Sequence, residues 1–485
     1  MGLNLLNESK KLIKYISPIE IVKSPKSTKS KKVETLEEIN KKLKAKREFD
    51  KEKFEFEEKF YELMFNLGFV NKFNNTFDLK IQSKADYGYY AQIYRNSGLS
   101  FAKLKEDLNM LEETLKCIWI MNYEKFSEYA NLRIVTKPLD EDICYEDPKI
   151  KPHELYLGLD FSLNINKNNN NKNNMFLIAG ATGSGKTRFI YMILLSWILN
   201  CKINEVELYI SDIAKDEYCN LKYVKMVRSY ASELEQLYKM LLYLRIKFEK
   251  RKKIISQYRE EGKATNIEEY NKINKVKMTY VYILIDEASI IMPSKGDKEN
   301  VKAMKEEILD ILCQFSKTCR SYGMFPIIAT QKTVKDEIPS LIKDMSAVRI
   351  SFRANGGKSS ESILGDDSAV GLQDRYALYS LDGGCKKDYL FSPKLTTDYL
   401  NELLKPHIDK NFKKIDLDAE IKASKQQPQT DSKVVDFPKR KIKVKTKEQP
   451  YDVIDTSKII DDIYKVNESS SYINANFEED DYVDD

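Results

Sequence analysis

Between residues 151 and 405 the chain switches repeatedly between two hydrophobic periods. Short apolar runs bounded by polar or glycine residues read as buried strands: Met175–Ala179, Val206–Ser211, Thr279–Ile285, Met324–Ala329, Ala347–Phe352 and Tyr376–Leu381. Longer stretches with apolar residues every three or four positions separate them, notably Phe189–Leu199 and Ser232–Tyr258. The second opens with Ser232 and Glu235 at the spacing of a capping box. Strand and helix in strict alternation predict an α/β fold, a mainly parallel sheet with helices on both faces.

The flanking segments have other patterns. Residues 76–150 read as a small α/β unit with strands at Tyr87–Tyr94, Cys117–Met121 and Leu132–Val135 and a helix over Ser100–Leu115. Residues 34–75 are dense in Glu, Lys and good helix formers, which predicts one long exposed helix. Residues 1–33 read as a basic flexible segment in which Leu3, Leu6, Ile13 and Ile16 fall at helical spacing. The Asn-rich insert Asn168–Asn174 has no means of burying a core and reads as a disordered hairpin tip. Residues 406–485, with a basic block at Lys439–Lys447 and an acidic end at Glu478–Asp485, read as a mostly disordered tail.

Composition narrows the chemistry. Against 80 basic and 75 acidic residues a net charge of +5 does not by itself argue for a nucleic-acid partner. The seven cysteines never fall at C-x-x-C spacing and the two histidines stand far apart, which excludes a disulfide framework and a zinc centre. No stretch reaches the roughly 20 apolar residues of a membrane span, and the N-terminus lacks the layout of a signal peptide. A soluble, cytoplasmic protein is expected.

Candidate chemistry begins at Gly180-Ala181-Thr182-Gly183-Ser184-Gly185-Lys186-Thr187, which fits G-x-x-x-x-G-K-[ST] between a predicted strand and a predicted helix. There the backbone N–H groups of the loop cradle phosphates, Lys186 supplies a charge to them, and the Thr187 hydroxyl is a ligand for Mg²⁺. The run Val281–Ile285 ends in Asp286-Glu287, where the first carboxylate suits Mg²⁺ and the second suits a general base that orients water. A third strand ends in Thr330-Gln331, a polar pair suited to sensing the γ-phosphate. Together these predict an ATP site.

Phosphate loop, Asp286-Glu287 and Ala329-Thr330-Gln331, in that order, resemble the FtsK/SpoIIIE family of ring-shaped DNA-pumping ATPases. The resemblance extends to Leu157-Gly158-Leu159-Asp160 (the family's L-G-x-D), Asn266-Ile267-Glu268-Glu269-Tyr270-Asn271 (N-I-x-x-Y-N) and Cys319-Arg320-Ser321-Tyr322-Gly323 (A-R-A-x-G). Arg349-Ile350-Ser351-Phe352-Arg353 (R-I-A-F-x) and Ser362-Ile363-Leu364 (T-I-L) continue it, so that it covers about residues 151–395 and weakens back to about 80. It implies a RecA-like P-loop NTPase core assembled as a homo-hexamer around double-stranded DNA, with Arg320 as the arginine finger of the neighbouring subunit's site. The sequence departs from the family at Asp212-Ile213-Ala214-Lys215, where Asp-Pro-Lys is usual, and at Glu361, where Arg is frequent. Nothing resembles the family's membrane spans or its C-terminal winged-helix module, so sequence-directed loading is not expected.

The expected function is an ATP-driven DNA translocase of a plasmid or conjugative element, in the style of low-GC Gram-positive bacteria. Relaxosome or membrane-pore proteins would be its partners, and any place at the membrane would come through them. A type VII-like protein-export motor and a regulatory, non-translocating ring are the alternatives. Candidate DNA contacts are the basic helix Lys247–Lys253 and the loop Asn355–Ser360.

Overall fold

The computed structural model describes residues 36–124, 127–173, 175–331, 340–384, 386–426, 442–444 and 452–454. The basic flexible segment predicted over 1–33 lies outside them, as does most of the predicted tail beyond residue 426. Among the described residues no helix is long and apolar enough to cross a membrane.

Helix α1 (Leu36–Asn66) leads into a four-stranded antiparallel sheet, β1 (Asp78–Ala85), β2 (Gly88–Tyr94), β3 (Ile118–Asn122) and β4 (Tyr129–Val135), in spatial order β1-β2-β4-β3. Between β2 and β3 lie α2 (Phe101–Glu106) and α3 (Leu108–Leu115), two helices meeting at Asp107 where one was expected. The helix predicted as exposed is so only in its first half. Phe60 and Met64 are fully buried, and the Phe60 ring stacks on Trp119 of β3 at 5.5 Å. Glu and Lys dominate the composition of α1, but its apolar residues gather at one end.

The second sheet has ten strands. Six run parallel: β7 (Phe176–Ala179), β8 (Val206–Ser211), β9 (Val227–Ala231), β10 (Tyr280–Ile285), β11 (Met324–Thr330) and β12 (Val348–Phe352). Their order is β12-β7-β11-β10-β8-β9, and the antiparallel strands β13 (Tyr376–Ser380), β14 (Lys387–Phe391), β5 (Glu154–Leu159) and β6 (Ile165–Asn169) extend the β12 edge. Alternate residues of each central strand enter opposite cores, as a period of two requires. Phe176, Ile178, Tyr282 and Leu284 pack with Phe189 and Trp197 of α4 (Lys186–Asn200). Leu177, Ala179, Ile283 and Ile285 pack with Leu241 and Phe248 of α5 (Leu234–Glu260) and, beyond the short α6 (Ile267–Ile273), with Ile308 and Phe315 of α7 (Glu299–Thr318). Helices α8 (Ser340–Met345), α9 (Gly357–Leu364), α10 (Thr397–Leu404) and α11 (Leu417–Gln426) complete the layers. The α/β class and the helices on both faces agree with expectation.

Three expectations are corrected. The Asn-rich insert is ordered: β6 runs into a 3-10 turn at Asn170–Lys172, and Asn168, Asn170 and Asn173 are buried. Asn170 donates through Nδ2 to the Tyr282 hydroxyl at 2.8 Å, and Asn171 donates to Glu268 at 3.0 Å. Hydrogen bonds, not apolar contact, satisfy this segment. The capping box is displaced as well: Glu233 is the N-cap of α5, and the Ser232 N–H donates to Gln236 Oε1 at 2.9 Å in place of Glu235. Residues 406–426, finally, are ordered although they were expected to belong to the tail. Lys225 N donates to His407 O at 3.1 Å, Lys414 Nζ to Val224 O at 2.8 Å, and Ile421 of α11 is buried against α5.

The two sheets share a junction. Tyr87, Ile120 and Val135 cluster with Leu159, Phe161, Tyr376 and Phe391, and Arg133 of β4 pairs with Asp388 of β14.

Two stability outcomes follow. Tyr282→Phe removes the hydroxyl that donates to Pro152 O at 2.7 Å and accepts from buried Asn170. Urea denaturation should show a loss of about 1–3 kcal/mol, the cost of a buried polar group left unpaired. Glu112, which accepts from Trp119 N at 2.7 Å, has its carboxyl pushed up to about 7 by burial. A folded-state value above the unfolded one means that stability falls as pH rises from about 4.5 to about 7. Glu112→Gln should therefore raise the melting temperature at pH 8 and leave it nearly unchanged at pH 4.

Candidate nucleotide site

The phosphate loop joins the carboxyl end of β7 to α4. Gly185, with φ +104°, is the N-cap of α4, a backbone conformation that a side chain at this position would strain. Behind it the helix N-terminus directs its free N–H groups at the loop, which favours an anion there. Loop residues Ala181, Ser184 and Lys186 are buried, while Thr182 and Gly183 face solvent. Ala181 N donates to Arg353 O at 2.9 Å, and Arg375 N donates to Ser184 O at 3.0 Å.

Lys186 is 3% exposed and its ammonium lies 3.6 Å from Asp286 Oδ1, in a side chain 2% exposed. Neither Lys186 Nζ nor the buried Ser184 hydroxyl makes a hydrogen bond among the described residues. A buried ammonium and hydroxyl with donors to spare, beside a helix N-terminus, fit the phosphates of a nucleotide. The Asp286 oxygen also accepts from the Tyr218 hydroxyl at 3.0 Å. Burial pushes the Asp286 carboxyl above the ordinary aspartate range; Lys186 and Tyr218 oppose that, and the nearby Glu217 and Asp212 reinforce it.

Glu287 is held by four donors. Its Oε1 accepts from Thr330 Oγ1 at 3.0 Å and from Ser289 Oγ and N at 3.0 and 3.4 Å, and its Oε2 accepts from Gln331 N at 3.0 Å. Gln331 Oε1 accepts from Thr182 Oγ1 at 3.2 Å and from Lys215 Nζ at 2.6 Å. The structure thus brings Lys186, Thr187, Asp286, Glu287 and Gln331 together at the carboxyl ends of three neighbouring parallel strands, where ligands of open α/β sheets bind. Thr187 and Asp286 fit a Mg²⁺ ion by donor type, a hydroxyl and a carboxylate.

Arg320 does not join this group. It lies in a 3-10 turn before β11, at the amino end of the sheet, where it is exposed and donates to Lys172 O at 3.0 Å. Of the candidate DNA contacts, the basic helix is corrected in part. Lys247 pairs with Glu207, and burial pulls its ammonium down to about 8. Arg251 is buried and donates to Tyr322 O at 2.7 Å and Thr279 Oγ1 at 2.9 Å. Of its five basic residues, Lys250 and Lys253 are exposed. In the second candidate, Gly357 opens α9 and Lys358 is exposed.

Sequence reasoning missed the strap after β8. Asp212, buried, accepts from Tyr218 N at 2.7 Å and from the Tyr230 hydroxyl at 2.6 Å, while Glu217 Oε2 accepts from Thr187 Oγ1 at 2.6 Å. The family's Asp-Pro-Lys position, Asp212 to Lys215, marked its start, but the only signal for Glu217 was the run of charge just past a buried strand.

Residues 150–363 match the FtsK/SpoIIIE family. A DNA translocase FtsK of Listeria monocytogenes is 26% identical over 275 residues, 54% of this chain and 34% of that protein. One of Lactiplantibacillus plantarum is 24% identical over 238 residues, 46% of this chain and 28% of that protein. The chain thus spans a minor part of the length of these relatives. Among solved structures, the conjugation coupling protein TcpA of pCW3, in monomer form with ATPgS, is 22% identical and superposes with a TM-score of 0.51, covering 73% of this chain and 99% of that one. That likeness is one of fold. Residues 150–363 thus match a family of P-loop ATPases, and the fold agrees with that match.

The buried ion pair yields a test that needs no nucleotide. Asp286→Ala leaves the Lys186 ammonium buried without its counter-charge, and thermal or urea unfolding should show a loss of about 3–5 kcal/mol.

Proposed function

We propose that this FtsK/SpoIIIE-family domain hydrolyses ATP to move double-stranded DNA, as a homo-hexameric ring serving the transfer or maintenance of a plasmid or conjugative element. The observation that carries the reading is the convergence of Lys186, Asp286 and the Thr330–Gln331 pair, by way of Glu287, at one end of β7, β10 and β11. In this reading loop residues Gly180 to Thr187 hold the phosphates through backbone N–H groups, and Lys186 neutralises them. Bound at Thr187 and Asp286, Mg²⁺ would supply charge stabilisation for the transferring phosphoryl group. Glu287, with its carboxylate fixed by Thr330, Ser289 and Gln331, orients and polarises the attacking water. Gln331, tied to Thr182 and Lys215, stands where the γ-phosphate would be sensed.

Arg320 serves the neighbouring subunit's site in this proposal. Its exposure, at the end of the sheet opposite its own phosphate loop, supports that assignment. A guanidinium given in trans to the equatorial oxygens is worth about 10³–10⁵ in rate. The name of TcpA, a conjugation coupling protein, favours the mobile-element setting. There the protein works in the cytoplasm and meets relaxosome or membrane-pore proteins. Lys250, Lys253 and Lys358 are the exposed cations left for DNA among the predicted contacts, so affinity for duplex should fall steeply with salt.

ATP turnover with and without double-stranded DNA decides between readings. Strong stimulation by duplex is expected; indifference to duplex with a response to a protein substrate would select the export motor. Lys186→Ala should lower turnover about 10²-fold or more. Arg320→Ala should be similarly inactive, and mixing the two variants should restore part of the activity, because some interfaces then hold both intact residues. Full turnover in Arg320→Ala alone would remove the trans role.

A further inference from the structure

We infer that Glu217 is a positioning residue for the divalent cation, accepting the hydrogen bond of the Thr187 hydroxyl so that the hydroxyl oxygen turns its lone pairs to the metal. The inference rests on the proposed reading of residues 180–187 as a triphosphate loop. Thr187 Oγ1 donates to Glu217 Oε2 at 2.6 Å, the length of a charge-assisted bond. A threonine hydroxyl has one proton and two lone pairs. As a cation ligand it must offer a lone pair, so its proton needs an acceptor on the far side. Glu217 is that acceptor.

The carboxylate does not reach Thr187 by chance, since the strap carrying it is anchored on three sides. The Tyr191 hydroxyl of α4 donates to the Glu217 carbonyl at 2.6 Å. The next residue, Tyr218, is fully buried; its N–H donates to Asp212 at 2.7 Å and its hydroxyl to Asp286 Oδ1 at 3.0 Å. That same Asp286 oxygen faces the Lys186 ammonium, which is 3% exposed and without a hydrogen bond. The strap thus ties the hydroxyl and the carboxylate that would share the cation. The other Glu217 oxygen lies 3.8 Å from Lys215 Nζ, which is hydrogen-bonded to Gln331. One segment therefore touches both the metal side and the γ-phosphate side of the site.

Binding of methylanthraniloyl-ATPγS to the full chain, first in EDTA and then on titration with Mg²⁺, tests this without relying on turnover. Glu217→Ala should leave the affinity in EDTA unchanged and raise the Mg²⁺ midpoint about 10–100-fold, the usual cost of losing a residue that orients a metal ligand. Glu217→Gln keeps an acceptor oxygen but no charge, and its midpoint should fall between the two. A wild-type midpoint in Glu217→Ala overturns the inference. So does an equal loss of affinity in EDTA and in Mg²⁺, which would make Glu217 a scaffold of the loop. If the wild-type chain binds no nucleotide in either condition, the triphosphate reading itself falls and this inference with it.

Discussion

A buried ion pair between two strand ends organises the site. Lys186 follows β7 and Asp286 follows β10, strands that are not neighbours; β11 lies between them. Register sets Ala179 beside Thr330 and Ile285 beside Ile328, so the three strands end within about two residues of one another. Taking both charges out of water costs several kcal/mol per ion, and hydrophobic residues of similar volume would serve stability as well. The pair has a rationale in ligand exchange. In the proposed reading, phosphate oxygens replace Asp286 as the counter-charge to Lys186, and Asp286 is then free for a cation. The raised proton affinity of Asp286 shows how dearly its charge is held in the meantime.

The parallel sheet that assembles one half of the chemistry removes Arg320 from it. Arg320 lies in the turn before β11 and Gln331 follows its last residue, so the strand's rise of roughly 3.3 Å per residue separates the two along its whole length. A residue so placed, exposed and held only by a carbonyl of the turn at Lys172, has no route to its own phosphate loop. In the proposed reading it therefore acts on another subunit, and strand direction supports that reading independently of the resemblance.

Strands buried on both faces were legible because they carry no alternation to misread: all six residues of β10 and all seven of β11 are buried. What escaped the sequence was held by polar partners far away along the chain. β6 reads Ile-Asn-Lys-Asn-Asn and has no apolar pattern, yet Asn170 just beyond it is fully buried because Tyr282, 112 positions on, supplies its acceptor. Lys247 and Arg251 read as candidate DNA contacts, but β8 brings Glu207 against the one and the turn before β11 brings the Tyr322 carbonyl against the other. Glu217 belongs to the same class. A carboxylate in a loop has no period, and its significance appears only when Thr187 is beside it.

Arg320 apart, the residues that carry the resemblance outside the nucleotide motifs are scaffold, not chemistry. Asn271 closes a two-way bond with Met278, donating to its carbonyl at 2.9 Å and accepting from its N–H at 2.8 Å. Gly323 leaves room for Ile267, whose Cδ1 would stand 2.2 Å from a β-carbon there. Arg349 donates to the carbonyls of Lys343, Ser346 and Ile363, pinning α8 and α9 to β12. Such positions are constrained by packing whatever the motor moves, so they report fold strongly and cargo weakly. Cargo must be read from surfaces that packing leaves free. Arg375 links the site to the small sheet: its N–H donates to Ser184 O of the phosphate loop, and its guanidinium donates to the carbonyls of Glu141 and Ile143 in the segment leading from that sheet.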